Sequence, residues 1–313
     1  MLASKGLTIL STKDEAEDVK SFLLGDPDGR ELPPWTAGAH IDVTTPEGLT
    51  SQYSLCGGEP GRSWRIATLL KRDGKGVSRY LHEVASPGEI VQVSPPRNHF
   101  ELIAAPSYLF IAGGIGITPI LPMIARVASI GARWRLAYGG RRRATMAFLR
   151  ELEAYGSSIQ LCPEDERGLL PLPDLIGGLA ARDAIYCCGP EPLIAAVERQ
   201  VSQRGLSELH VERFASADVA LQANDSGFEV EIAKSGTTVH VGPHQTILEA
   251  LEESGICPAA SCREGVCGTC ETSVLSGEID HRDSILSAAE RQAGRSMMIC
   301  VSRARSGKLV LDM

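Results

Sequence analysis

The chain has 313 residues, of which 22% are charged and 43% hydrophobic, and a net charge of −8. That length suits two or three domains of ordinary globular composition. The acidic balance argues against a nucleic-acid partner, which needs clustered positive charge, and no apolar run reaches the roughly 18 residues of a membrane-spanning helix.

The opening MLASKGLTILSTKDEAEDVK alternates apolar and polar residues and turns acidic without an apolar core, so no export leader is expected. Residues 1–103 read as β-rich: LTIL (7–10), HIDVTT (40–45), TSQYSL (50–55), RIATLLK (65–71) and EIVQVS (89–94) are short strand-like runs. Gly and Pro punctuate them, which predicts a small antiparallel barrel or sandwich, and VSRYLHEVA (77–85) interrupts them as a helix. From residue 104 strands and helices alternate: SYLFIAGG, TPILPMIARVAS, RWRLAYGG, AFLRELEAYG, SIQLCP, LPDLIGGLAA, DAIYCCG and PLIAAVERQVSQRG. Such alternation indicates a parallel α/β sheet. ASADVALQANDSG (215–227) is small, polar and weakly patterned and reads as a linker. Beyond it, FEVEIAKSGTTVHVG (228–242) predicts a hairpin and TILEALEESG (246–255) a helix capped by Gly255. Three modules follow, at 1–103, 104–222 and 227–313.

Nine cysteines without an export signal point to metal or redox chemistry rather than to a disulfide framework. Cys262, Cys267 and Cys270 stand in C-x4-C-x2-C spacing, with Cys300 after 29 further residues. That is the plant-type [2Fe–2S] pattern. Three thiolates wrap one side of the cluster and the fourth closes the cage, while Gly265 and Gly268 free backbone N–H groups to face sulfur. A structural zinc site usually pairs C-x2-C with a second such pair or with histidines, which Cys300 does not provide. Cys56, Cys162 and Cys257 read as packing residues.

Gly113, Gly114 and Gly116, ahead of Thr118 and Pro119, lie between a strand and a helix, where free N–H groups can meet a phosphate. The run departs from G-x-G-x-x-G, and no acid follows about twenty residues on, so a plain tight turn competes with it. Cys188, Gly189 and Pro190 end a second strand and are placed to line the same crevice. Gln52, Tyr53 and Ser54 offer a ring-stacking and hydrogen-bonding strand, against the alternative of ordinary core or rim residues. KRDGKG (71–76) before Val77 and Ser78 reads as a second phosphate site or as a solvated hairpin tip.

Together QYSLC (52–56), LLKRD (69–73), GKGVS (74–78), PPRNHF (95–100), AGGIGITP (112–119), YCCGP (186–190), HVERF (210–214), SCREGVCGTC (261–270), GEIDHRD (277–283) and MICVSRA (298–304) resemble the phthalate dioxygenase reductase family over essentially the whole chain. The resemblance implies an FMN-binding antiparallel β-barrel, an NAD-binding α/β domain and a ferredoxin-like β-grasp domain. It implies FMN contacts from Gln52, Tyr53, Ser54, Leu70, Lys71, Gly76, Val77, Ser78, Thr118 and Phe214. It implies an NADH site shaped by Gly113, Gly114, Gly116, Cys188, Gly189 and Pro190, with Thr118 and Cys188 as positioning residues and no acid–base catalyst. The implied activity is transfer of hydride from NADH to FMN, then of single electrons through [2Fe–2S] to a terminal Rieske non-haem iron oxygenase. A monomer in the bacterial cytoplasm is the family expectation.

The sequence departs from the family pattern in two places. Ser51 stands where an arginine commonly pairs the FMN phosphate, leaving Lys71, Arg72, Lys75 or Arg79 to compensate. Arg141-Arg142-Arg143 replaces an arginine followed by an acid, which leaves NADPH open beside NADH. A flavin-less iron–sulfur carrier and a reductase serving a P450 or another monooxygenase are the alternative readings.

Overall fold

The computed structural model describes residues 4–72, 74, 76–214 and 226–313. The chain forms two compact units, Ala3–Glu212 and Arg213–Met313. The linker expected at 215–227 falls largely outside the described residues, as does Lys75.

The first unit begins with strands β1 (Lys5–Ala16), β2 (Val19–Gly25), β3 (Ala39–Thr44), β4 (Thr50–Gly57) and β5 (Ser63–Leu69), helix α1 (Val77–Glu83), and strands β6 (Ile90–Val93) and β7 (Arg97–Asn98). Six strands run in the order β4-β5-β2-β1-β6-β3, and pairing of β3 with β4 closes the ring; β7 adds to β3. Closure leaves no free edge. Alternation sets the core: Leu7, Ile9, Phe22, Leu24, Ile41, Val43, Leu55, Ile66, Val91 and Val93 all point inward and are buried. Each such side chain stabilises the barrel by roughly 1.5–3 kcal/mol.

Strand β2 did not stand out in the sequence, yet it supplies Phe22 and Leu24 and is needed for closure. Its partner β1 runs on through the polar stretch to Ala16, because β1 and β2 pair as far as Ala16↔Val19 and an antiparallel ribbon can keep one face in water.

The unit continues with β8 (Ser107–Gly113), α2 (Ile117–Ser129), β9 (Arg133–Gly140), α3 (Leu149–Leu152), β10 (Ile159–Pro163), α4 (Glu164–Arg167), α5 (Leu172–Gly177), β11 (Ala184–Cys188), α6 (Glu191–Gln203) and β12 (Leu209–Glu212). The sheet order is β10-β9-β8-β11-β12, with all neighbours parallel. The chain reverses direction of growth between β8 and β11, so the crevice at their C-terminal ends is the expected ligand position. The helix expected over AFLRELEAYG is shorter. Phe148 enters it with φ +62°, and the following 3-10 segment breaks at Gly156 (φ +53°, ψ −125°). Phe148 is buried beneath the Arg65 guanidinium, 5.1 Å from its ring centre.

The second unit holds β13 (Phe228–Ile232), β14 (Thr237–Val241), α7 (Ile247–Glu253), β15 (Glu271–Ser276), β16 (Ile279–Asp280), α8 (Ala288–Ala293), β17 (Ser296–Met298), β18 (Arg303–Ala304) and β19 (Lys308–Leu311). The main sheet runs β14-β13-β19-β15-β17, and β16 pairs with β18. Helix α7 packs its apolar face, Ile247, Leu248 and Leu251, on this sheet. Its start is fixed by a capping box between Thr246 and Glu249, and Gly255 takes the left-handed conformation just beyond its end (φ +80°). Arg303 is buried and donates to the carbonyls of Gln245, Ser226 (3.1 Å) and Gly242 (3.0 Å), with the Phe228 ring beneath it.

Candidate functional site

Strand β8 ends in Gly113 and passes through a 3-10 turn, Gly114–Gly116, into α2. Gly114 takes φ +54°. Gly116 is required by space instead, since a Cβ there would lie 2.3 Å from the Cys188 carbonyl oxygen. Across the crevice, a Cβ on Gly189 would meet Gly113 at 3.0 Å, and one on Gly113 would meet Pro190 at 2.7 Å. The two glycine-bearing turns singled out from the sequence are thus brought against each other. Tyr138, buried in β9, donates to the Gly114 carbonyl at 3.1 Å. Thr118 is buried, and its hydroxyl donates to Ile115 within the same turn at 2.9 Å.

Helix α2 packs on β4, which carries Gln52, Tyr53 and Ser54. The Ser54 hydroxyl donates to the Glu212 carboxyl at 3.4 Å. Glu212 in turn is the register partner of Cys188. Crowding by protein atoms raises the Glu212 carboxyl to about 8, against a weaker opposing effect of the Ser54 bond, although the residue keeps some exposed surface. Cys188 is fully buried, and its thiol is pushed up by burial first and by Glu212 second. Glu212 was not singled out from the sequence. Its signal in the sequence was its place in HVERF (210–214), where the resemblance gave a role to Phe214 alone.

Tyr53 is pushed up by burial, against a weaker opposing effect of Ser51. Gln52 Nε2 is buried without a hydrogen-bond partner among the described residues. An amide in that state suits a bound molecule with polar edges, because leaving it unpaired costs about 1–3 kcal/mol. At the start of α1, Gly76 takes φ +101°. The Ser78 hydroxyl accepts from the Lys71 N–H at 3.1 Å, so Lys71, Gly76, Val77 and Ser78 form one turn following Leu70. Arg79 donates to the Arg72 carbonyl at 2.8 Å, and Arg72 lies 3.7 Å from Asp18. Phe214 follows β12 and falls in the second unit.

In that unit Cys262, Cys267, Cys270 and Cys300 are all buried, whereas Cys257 is exposed. The Cys262 thiol meets those of Cys267 and Cys300, and Cys300 also meets Cys270. Backbone N–H groups converge on the sulfurs: Glu264 on Cys262 at 3.2 Å, and Thr269 on Cys267 at 3.4 Å. The neighbouring thiols, Cys267 first, hold the Cys262 thiol far below its usual range. Arg263, Gly265 and Gly268 all take left-handed φ, at +58°, +68° and +71°. Arg263 pays for this conformation with a two-point ion pair to Glu252, at 3.0 and 2.6 Å. The Ser284 N–H donates to the Gly265 carbonyl at 2.9 Å. Ser261 Oγ, beside Cys262, is buried without a partner among the described residues. Four sulfur donors ringed by N–H groups fit a thiolate-ligated iron–sulfur cluster, whose sulfur atoms accept such bonds.

A closed barrel and a parallel sheet with a glycine-lined crevice, joined to a cysteine-lined loop, define an electron-transfer oxidoreductase. Residues 230–305 match the 2Fe-2S iron-sulfur cluster binding domain. The chain is 41% identical over 318 residues to the phenoxybenzoate dioxygenase subunit beta of Ectopseudomonas oleovorans, covering 100% of this chain and 98% of that one. It is 34% identical to the solved phthalate dioxygenase reductase, described as a modular structure for electron transfer from pyridine nucleotides to [2Fe-2S], covering 99% of this chain and 98% of that one at a TM-score of 0.72. An intact type IV self-sufficient cytochrome P450 monooxygenase aligns with a TM-score of 0.92 at 39% identity. There the match covers 99% of this chain and spans only 41% of the P450 chain. The chain belongs to the phthalate dioxygenase reductase family. No helix among the described residues is long and apolar enough to cross a membrane.

Proposed function

We propose that the chain is the reductase component of a Rieske-type oxygenase system, taking hydride from NADH onto FMN and passing single electrons through [2Fe–2S] to the terminal oxygenase. The observation that carries this is the meeting of the β8 and β11 turns against the Ser54–Glu212 pair in one unit, with four clustered thiols in the other. A flavin supplies the conversion between two-electron and one-electron chemistry. Gln52, Tyr53 and Ser54 orient its ring, with Leu70 and Thr118 beside them, and the family resemblance adds Phe214 as a flavin contact. Lys71, Gly76, Val77 and Ser78 hold its phosphate, with Arg72 and Arg79 as further cations on that turn. Gly113, Gly114, Gly116, Gly189 and Pro190 let the nucleotide backbone come close, and Cys188 packs behind it. Cys262, Cys267, Cys270 and Cys300 ligate the cluster.

The modules are bounded at 1–103, 104–222 and 227–313, and the protein acts as a cytoplasmic monomer. A haem monooxygenase as acceptor is the second reading, favoured by the likeness to the self-sufficient P450. The test is an absorption spectrum with chromatography of acid-released flavin, then anaerobic NADH. FMN, with bleaching of both flavin and iron–sulfur bands, is the expected result. Absence of flavin even after FMN is added would leave only an iron–sulfur carrier.

A further inference from the structure

With β8 first and β9 second in chain order, the nucleotide sheet has a three-two-one-four-five arrangement. In such sheets the adenosine ribose lies past the C-terminal end of the second strand. An acid there marks a free 2′-hydroxyl, and an arginine accommodates a 2′-phosphate. Here β9 ends at Gly140 and runs directly into Arg141, Arg142 and Arg143.

The structure shows how each of the three is held. Arg142 donates to Glu17 at 2.8 Å, and Arg143 donates to Glu166 at 3.2 and 3.4 Å. Both pairs are about half exposed on each side. Arg141 is exposed, and its guanidinium has no hydrogen bond or ion pair among the described residues. Its carbonyl accepts the Asp165 N–H at 3.3 Å, which fixes this rim beside α4. Glu164, Asp165 and Glu166 follow the third strand rather than the second, and Glu166 is already engaged by Arg143. Exposed ion pairs of this kind hold weakly. A phosphate dianion offers more charge and more acceptor oxygens than one carboxylate, and guanidinium geometry suits it.

We propose that Arg141, Arg142 and Arg143 form a 2′-phosphate-accepting rim, so that the chain takes NADPH as well as NADH. This rests on the nucleotide-site reading given above. Glu17 and Glu166 keep the rim neutralised when no phosphate is present and release it when one arrives.

The test is calorimetric titration of the full-length, cofactor-loaded protein with 2′,5′-ADP and, separately, with 5′-AMP, which differ only in the 2′-phosphate. The expected result is binding of 2′,5′-ADP about tenfold tighter, a gap on the scale of one charge-assisted contact that shrinks as salt is raised. Arg141→Gln should narrow the gap, and Glu166→Gln, which frees Arg143, should widen it. Equal affinity for the two nucleotides in the unaltered protein, or a gap that neither variant changes, would overturn the proposal. Binding of 5′-AMP alone would overturn it while leaving the nucleotide site standing. Binding of neither would remove the nucleotide site itself, and the rim with it.

Discussion

Ser54 and Glu212 lie 158 positions apart, yet the serine hydroxyl donates to the carboxyl at 3.4 Å and joins a barrel strand to the last strand of the parallel sheet. The contact puts a carboxyl raised to about 8 at the junction of the two predicted cofactor modules. In the unfolded chain this group ionises near its ordinary 4.5. Between those values the unfolded state releases a proton that the folded state retains, so this group lowers stability as pH rises from about 4.5 to about 8. Glu212→Gln should remove that slope and raise the melting temperature of the first unit at pH 8 by a few degrees, with little change at pH 4.5. Thermal unfolding at the two pH values measures it. A variant with an unchanged slope would show that the carboxyl is ionised in the folded protein.

Gly116→Ala places a methyl group 2.3 Å from the Cys188 carbonyl. Backbone must move on one side of the crevice, at a cost of roughly 1–3 kcal/mol. Nucleotide affinity and melting temperature should fall together. Gly114→Ala meets no neighbour within 4 Å, so it should cost only the left-handed backbone, on the order of 1 kcal/mol.

Replacing Cys300 by Ser should abolish stoichiometric iron and acid-labile sulfide, as should replacement of Cys262, Cys267 or Cys270. Cys257→Ser, at an exposed cysteine, should leave both at the unaltered level. Equal iron loss in the Cys257 variant would contradict the ligand set.

Arg303→Met should destabilise the second unit by about 3 kcal/mol or more, because three carbonyls lose a charged donor inside the fold. Chemical unfolding followed through the cluster absorption would report it.

The alternation of strands and helices after residue 104 was legible because a parallel sheet buried on both faces makes continuous apolar runs such as SYLFIAGG. The cysteine spacing was legible because a cluster fixes which residues can reach it. Strand β2 was not, since its few apolar residues sit between acidic and turn-like segments, and only closure with β5 explains them. Glu212 escaped for a related reason. A glutamate reads as solvent-facing until a serine from a distant strand is known to sit beside it.

Strand β19 lies at the centre of its sheet, between β13 and β15, though it is the last of these in the chain. A growing polypeptide therefore exposes Cys262, Cys267 and Cys270 well before the strand that completes their scaffold exists, and before Cys300 can join them. Until Cys300 emerges the nascent chain presents three thiols of an incomplete cage, and until Lys308–Leu311 follow, the sheet beneath them lacks its central strand. Maturation of this unit is thus a race between synthesis of its final segment and capture of its thiols, and iron supply should affect yield most during that interval.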